Sequence, residues 1–382
     1  MTKVLFLIPN LAHGGAEKVL VNLANNMDKT KFDVTVQTLF DVGVNRQYLN
    51  SDVKYIGGFK RMPRGNTYVM KLFSPEKLYK HFIRDNYDII VSYLEGPTAR
   101  IVSGCNNPNT KLVSWIHIEQ HTKELASKSF RSYKEALDCY SKFDRTVCVS
   151  DTVKDDFESI FDTKKPVEVL YNTNESEKIK KLSDEKVNDV DFSKDIINII
   201  SVAKIVPSKG YDRLMKIHKK LIEKNIKNHI YILGIGEEKE KYEKYLAENN
   251  LTDTFTFLGY RDNPYKYVKK ADLYVCSSRR EGFSTAVTEA LIVGTPVVST
   301  NCSGAYELLG KNNEYGIVTE NDEDALYEGI KKMLTTPDLL EAYAAKAKER
   351  GKAFSTEKTV KAVEEMLLSC LLYTSPSPRD IS

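Results

Sequence analysis

Short apolar runs alternate with amphipathic stretches along almost the whole chain, and this alternation restricts the possible fold more than any other feature. VLFLI (4–8), DVTVQTL (33–39), YDIIVSYL (87–94), KLVSWIHI (111–118), RTVCVS (145–150) and VEVLY (167–171) have the length and β-branched content of strands. Between them, AEKVLVNLANNM places apolar residues at 16, 19, 20, 23, 24 and 27, the 3.6-residue period of a helix with one face on a core. Such alternation predicts parallel sheets covered by helices on both faces. The pattern breaks at NESEKIKKLSDEKVNDVDFSKD (174–195), which is charged and poor in large apolar residues. It resumes at IINIISVAK (196–204) and runs on through HIYILG, TFTFLG, ADLYVCSS, TPVVST and EYGIVT. The expectation is two α/β domains in series, residues 1–172 and 196–352, joined by a charged connection with room for a short helix. At 382 residues the chain is long enough for both. A last helix is expected over 355–370, and the Pro/Ser-containing stretch 371–382 reads as a disordered or non-native tail.

No apolar run approaches the ~20 residues of a membrane-spanning helix. MTKVLFLIPN lacks a signal peptide's cleavage pattern and reads as a first strand. Six cysteines (105, 139, 148, 276, 302, 370) form no CxxC pair, and several lie in apolar contexts such as TVCVS. They are expected to be reduced, buried thiols of a cytosolic protein rather than a disulfide framework or zinc site. The net charge of +3 conceals a local excess in FKRMPRGNTYVMKLFSPEKLYKHFIR (59–84), where seven basic residues meet one acid amid five aromatics. Such a segment suits an anionic membrane face, and a solvated helix face plus loop would carry the same composition. No nucleic-acid recognition motif accompanies the charge, so nucleic acid is not an expected partner.

Open parallel sheets bind ligands at the carboxyl ends of their strands, where helix N-termini present unpaired N–H groups. The first such place is PNLAHGGAEKVL, where Gly14 and Gly15 would let the backbone approach an anion or simply form a tight strand-to-helix turn. A second, ILGIGEEKEKYEKYL, has GxG but lysine at 239 in place of a third glycine, so a dinucleotide fingerprint is poorly matched. In a third, SVAKIVPSKGYDRLM, Lys204 and Lys209 flank a strand end and precede a helix start at Gly210, a fitting arrangement for a pyrophosphate.

The remaining loop, EGFSTAVTE, carries Glu281 and Glu289 on either side of an expected helix start at Ser284 or Thr285, either of which can cap it. Amides of Phe283, Ser284 and Thr285 would be available to phosphate. An ionised carboxylate accepts two hydrogen bonds at once, which suits the vicinal hydroxyls of ribose or a hexose. A helix-dipole acid beside a surface acid would give the same spacing.

E-x7-E in the second domain, Lys-Gly after its first strand, Gly-Gly after strand one and a histidine ending KLVSWIHI together resemble the retaining family-4 glycosyltransferases of GT-B architecture. IPNLAHGGAEKVLVNLA, VSYLEG, SWIHIE and CVSDTVK look most like bacterial enzymes that assemble surface polysaccharides. The resemblance spans residues 1–370. It implies two Rossmann-like α/β domains facing across a cleft, an N-terminal acceptor side, a C-terminal nucleotide-sugar side, and a last helix packed back on the N-terminal domain. It further implies that Glu289 holds ribose, that Glu281 and His117 meet the transferred sugar, and that Lys209 and Lys204 face the diphosphate. Phe283, Ser284 and Thr285 would assist through their amides, Gly14 and Gly15 would approach phosphates or acceptor, and Leu258 and Gly259 would meet the base. Lys204 stands where many members have arginine, which replaces a bidentate grip by a point charge.

The implied activity is transfer of a hexose-type sugar from a nucleoside-diphosphate donor, expected to be UDP-linked, to a growing polysaccharide or lipid-linked acceptor at the inner membrane face. No cofactor or metal is expected, because the two DxD-like triplets, 189–191 and 322–324, fall in the charged connection and before a helix. Alternatives on the same architecture are a nucleotide-sugar epimerase and a non-catalytic scaffold.

Overall fold

In the computed structural model, which describes residues 1–12 and 14–372, the chain forms two units. The first holds seven strands: β1 (Thr2–Ile8), β2 (Phe32–Thr38), β3 (Lys54–Ile56), β4 (Ile89–Tyr93), β5 (Lys111–Ile116), β6 (Arg145–Cys148) and β7 (Val167–Val169). They pair in parallel in the order β3-β2-β1-β4-β5-β6-β7, with Val4 opposite Ile89 and Leu7 opposite Ser92. VLFLI is buried throughout, as a strand covered on both faces must be, which is why it reads as a continuous apolar run. Helix Gly15–Asn26 buries Val19, Leu20, Leu23 and Ala24. β3 has no counterpart in the sequence reading: it is three residues long, begins with an exposed lysine and lies at the sheet edge, so it lacks an apolar run. β5 ends two residues earlier than KLVSWIHI suggests, because the His117 N–H leaves the ladder and donates to Glu95 Oε2 at 3.0 Å.

The second unit has β8 (Ile197–Val202), β9 (Asn228–Leu233), β10 (Phe255–Gly259), β11 (Leu273–Cys276), β12 (Val297–Thr300) and β13 (Ile317–Thr319), paired in parallel as β10-β9-β8-β11-β12-β13. Its core joins Ile199, Ile232, Val275 and Val298 from the sheet to Leu214, Ile217, Leu326 and Ile330 from helices Tyr211–Glu223 and Glu323–Thr335. In both sheets the strand order reverses beside the first strand, between β1 and β4 and between β8 and β11. These switch points are where an open α/β sheet leaves a crevice for a ligand.

The first unit comprises Met1–Asn174 with the last helix, Thr356–Leu372, and the second is Glu175–Ser355. The Thr356 hydroxyl donates to the Asn174 carbonyl at 2.7 Å, and the Asp28 N–H donates to Glu364 at 2.6 Å. Leu371 and Leu372, expected in the tail, extend this helix; the rest of 371–382 lies outside the described residues. The charged connection carries helix Ser176–Ser183 and belongs to the second unit. Its acids find partners there: Asp189 meets Arg261 at 3.1 Å, Asp184 pairs with Lys269, and Glu185 accepts from Asn263 at 2.9 Å. The six cysteines are free thiols; Cys105 and Cys302 are only half-buried, and the other four are buried. Among the described residues no helix is long and apolar enough to cross a membrane.

Helix Tyr211–Glu223 buries His218 between Asn228 Oδ1 (2.9 Å) and Thr254 Oγ1 (2.8 Å). Burial pushes its pKa down to about 4, against the partial support of Asn228. The folded state therefore keeps His218 neutral where the unfolded chain, titrating near 6.5, binds a proton. Its stabilising contribution is complete above pH ~6.5 and is lost as pH falls through about 4, with a slope of up to ~1.4 kcal/mol per pH unit between. Urea denaturation at several pH values should show His218→Gln with a flatter pH dependence than wild type by about that amount, other groups being common to both proteins.

Candidate active site

In the second unit the loops after β8 and β11 meet at the switch point. The chain leaves β8 through Lys204, forms a single 3-10 turn at Pro207–Lys209, and enters helix Tyr211–Glu223 at Gly210. Gly210 has φ +68, and a Cβ there would collide with the carbonyl oxygen of Ser277. Both a left-handed backbone and a close approach to the neighbouring loop require glycine. Arg213, 4% exposed, explains why the two loops stay together. Its guanidinium donates to the Ser277 carbonyl (2.9 and 2.6 Å), the Ser278 carbonyl (2.7 Å) and Asn321 Oδ1 (2.9 Å). Arg279 adds a bidentate pair with Asp212 at 2.7 Å, and the Ser277 hydroxyl donates to the Lys209 carbonyl at 2.8 Å.

This scaffold brings Lys209 and Glu281 into direct contact. The Lys209 ammonium donates to Glu281 Oε1 at 2.6 Å, and the Ser278 hydroxyl donates to the same oxygen at 2.6 Å. Burial alone would lower the Lys209 pKa, but attraction to Glu281 outweighs it and holds the pKa above the ordinary lysine value. Lys209 is thus a fixed cation at neutral pH, with two of its three donors not used by Glu281. Helix Thr285–Val293 follows, capped by Ser284, whose hydroxyl accepts from the Val287 N–H at 3.4 Å. The amides of Thr285 and Ala286 at this first turn have no partner within the helix. Phe283 is buried with its ring 6.0 Å from Phe354, which fixes the backbone before the cap. Glu289 lies in the second turn and is buried. Lys204 is exposed beyond the end of β8. Leu258 sits in a bulge of β10 where the register slips before Gly259. The GxG of residues 234–236 has a packing role: a Cβ on Gly234 or Gly236 would strike the carbonyls of Ala203 or Ile205.

The first unit carries a second group of side chains at the ends of β1, β4 and β5. Gly14 is extended (φ −133, ψ 159), a conformation open to any residue, and a Cβ there would meet only the carboxylate of Glu17. Gly15 opens the helix. The conformational freedom expected of this pair is therefore not what the Gly14 backbone uses. His117 follows β5 with its ring 4.6 Å from Tyr93 and 6.3 Å from Trp115. Burial pushes its pKa down to about 3, so the imidazole is neutral, and Nε2 has no partner among the described residues. The hydroxyl of Tyr93 and Nε1 of Trp115 are likewise buried without a partner among the described residues.

Between β4 and Glu95, Leu94 adopts φ +101, unusual for a side chain of its size. Its carbonyl is held by the hydroxyls of Thr98 (2.7 Å) and Ser92 (3.2 Å). Backbone held in such a region costs of order 1–3 kcal/mol and clusters at functional sites. Neither Leu94 nor Arg213 was among the residues singled out from sequence. The turn in YLEG was the available signal for the first, and nothing local marks the second.

With two Rossmann-like sheets and a cation–carboxylate pair at the switch point of one of them, the chain can be placed. Residues 13–174 match the family described as Glycosyltransferase Family 4, and residues 183–350 match Glycosyl transferases group 1. The protein is a glycosyltransferase of GT-B architecture, and hence an enzyme. Over 96% of its length it is 28% identical to the whole of the Campylobacter jejuni N-acetylgalactosamine-N,N'-diacetylbacillosaminyl-diphospho-undecaprenol 4-alpha-N-acetylgalactosaminyltransferase. It is 24% identical, over 76% of its length and 57% of the relative's, to the poly(ribitol-phosphate) alpha-N-acetylglucosaminyltransferase of Staphylococcus aureus. Among solved structures, Anabaena HepE in complex with UDP and glucose superposes with a TM-score of 0.76 over 97% of this chain and all of HepE, at 18% identity, a likeness of fold.

Gly210→Ala tests the scaffold. Forcing alanine to positive φ costs roughly 1–2 kcal/mol, and the collision with Ser277 adds to it. Gly259, with φ +73 and 3.9 Å of room to Arg261, supplies the control for conformation alone. In urea denaturation Gly210→Ala should lose more stability than Gly259→Ala; equal losses would remove the close approach from the account.

Proposed function

We propose that the enzyme is a retaining, metal-independent transferase that moves a hexose-type sugar from a UDP-sugar to a glycan or lipid-linked acceptor. It would do so at the inner membrane face during surface-polysaccharide assembly. The observation that carries this reading is the Lys209–Glu281 pair beside the Ser284-capped helix. Breaking the bond to UDP builds negative charge on the departing diphosphate and positive charge on the sugar. A fixed ammonium and a helix N-terminus oriented in advance stabilise the first charge more in the transition state than in the ground state.

Both donors to Glu281 fall on Oε1, so Oε2 is left to accept from a hydroxyl of the transferred sugar. Glu289 is assigned to the ribose hydroxyls and Leu258–Gly259 to the base. In the first unit, His117 acts as a neutral hydrogen-bonding group on the sugar, since an imidazolium would repel an oxocarbenium-like centre. Gly14 and Gly15 are assigned to the phosphates or acceptor, although the Glu17 carboxylate already lies over Gly14. The Campylobacter relative's name contains a diphospho-undecaprenol acceptor, and HepE was solved with UDP, which supports the classes of acceptor and donor.

The two DxD-like triplets have structural roles. Asp189 is bound by Arg261 and by the Tyr267 hydroxyl (2.8 Å), Asp322 caps helix Glu323–Thr335 through Ala325, and Asp324 pairs with Lys220 at 3.0 Å. The reading predicts full turnover in EDTA; loss of activity restored by manganese or magnesium would reverse the metal-independent part.

Glu289→Ala should weaken UDP and uridine alike, by roughly ten- to hundredfold, the loss of ~1.5–3 kcal/mol from a charge-assisted acceptor. Calorimetry showing unchanged affinity for both would remove the ribose role. Product analysis decides the reaction class: UDP release that requires acceptor supports transfer, whereas a new UDP-sugar epimer formed without acceptor would replace it by epimerisation.

A further inference from the structure

The segment from Phe59 to Phe73 exposes more large apolar side chains than any stretch of similar length among the described residues. Tyr68 is 75% and Leu72 77% exposed, and Phe59, Met62, Val69 and Phe73 are each about half exposed. Such a patch on a folded surface marks a contact with something else. Tyr68 and Leu72 are four residues apart on the short helix Asn66–Met70 and the turn that continues it, so they share a face, with Val69 beside them.

The exposure is built into the fold. Arg100, 1% exposed, donates to the backbone carbonyls of Met70 (2.9 Å) and Phe73 (2.7 Å) while its other edge is paired with Glu135 (3.1 and 2.9 Å). Arg131 donates to the Lys71 carbonyl at 2.6 Å. The backbone is thus pinned by the buried Arg100 and by Arg131, and the apolar side chains between these anchors face outward.

Charge selects the partner. Lys60, Arg61 and Arg64 are exposed around the patch, Lys71 lies 5.3 Å over the Tyr68 ring, and Lys77, Lys80 and Arg84 follow on the surface. The one acid among residues 59–84, Glu76, lies 3.7 Å from Lys142, a cation outside that stretch. A second copy of the same face would set these cations against their equals, which disfavours a symmetric self-interface. A surface combining apolar residues with a basic rim complements an anionic lipid interface.

We propose that this segment docks the enzyme on an anionic bilayer, with Tyr68, Val69 and Leu72 entering the interface and Lys60, Arg61, Arg64 and Lys71 meeting lipid phosphates. This deepens the functional reading above, on whose membrane-face acceptor it rests. Attachment then has two parts: an electrostatic part that salt removes and an apolar part that persists.

Co-sedimentation with phosphatidylcholine vesicles, with and without phosphatidylglycerol, separates them. Wild type should bind phosphatidylglycerol vesicles at low salt and retain weaker binding near 1 M salt, where the Debye length is about 3 Å. The triple variant Lys60→Ser, Arg61→Ser, Arg64→Ser should lose about 100-fold in affinity at low salt, each cation near the leaflet contributing about a factor of five. The double variant Tyr68→Ser, Leu72→Ser should lose at least about tenfold, chiefly in the salt-resistant part. Thermal midpoint and UDP affinity should stay at wild-type values in both. The proposal is overturned if wild type ignores phosphatidylglycerol vesicles at low salt, if either variant sediments like wild type, or if sedimentation velocity shows that the patch instead drives self-association. Vesicle binding by a protein that fails to bind UDP would uphold this surface and count only against the donor assignment.

Discussion

The geometry around Lys209 and Glu281 depends on one buried guanidinium. Arg213 leaves the helix that follows Gly210 and binds carbonyls at the end of β11 together with Asn321, three pieces of chain that lie up to 108 residues apart in sequence. An arginine suits this position because its fork offers five donors in a fixed plane, so one side chain can organise several diverging backbone segments. With these loops fixed, Lys209 and Glu281 meet as a formed pair. Their alignment requires little reorganisation when charge develops on a leaving group, which is the condition under which electrostatic stabilisation is most effective.

Burial disfavours the charged form of both Lys209 and His117, with opposite outcomes. At Lys209 the neighbouring carboxylate overcomes desolvation and fixes the charge. At His117 desolvation alone sets the shift and removes the charge. The result is a fixed cation after β8 in the second unit and a neutral imidazole after β5 in the first.

Local periodicity is legible from sequence, and so were most of the strands, the Ser284 cap and the loop bearing Glu281. Each depends on residues within a few positions of one another. The short edge strand Lys54–Ile56 was missed because three residues with one exposed lysine carry no apolar signal. The segment 174–195 looked like a solvated connection because its charges are visible locally and their partners, Arg261 and Lys269, are not. Arg213, the strained Leu94 and the Lys209–Glu281 contact were invisible for the same reason, since each is defined by chain far away in sequence. Gly14 shows the converse error: a residue type that invites a conformational explanation adopts an ordinary backbone.

The hydrogen bond between Thr356 and Asn174 shows that the second unit, Glu175–Ser355, is a single uninterrupted length of chain inserted into the first, with its two junctions side by side. A segment whose ends nearly touch can be removed or exchanged with little disturbance to its host, since the gap it leaves can be closed by a short linker. The second unit is therefore a cassette. Recombination that swapped one such cassette for another would preserve the half that carries the basic, apolar surface.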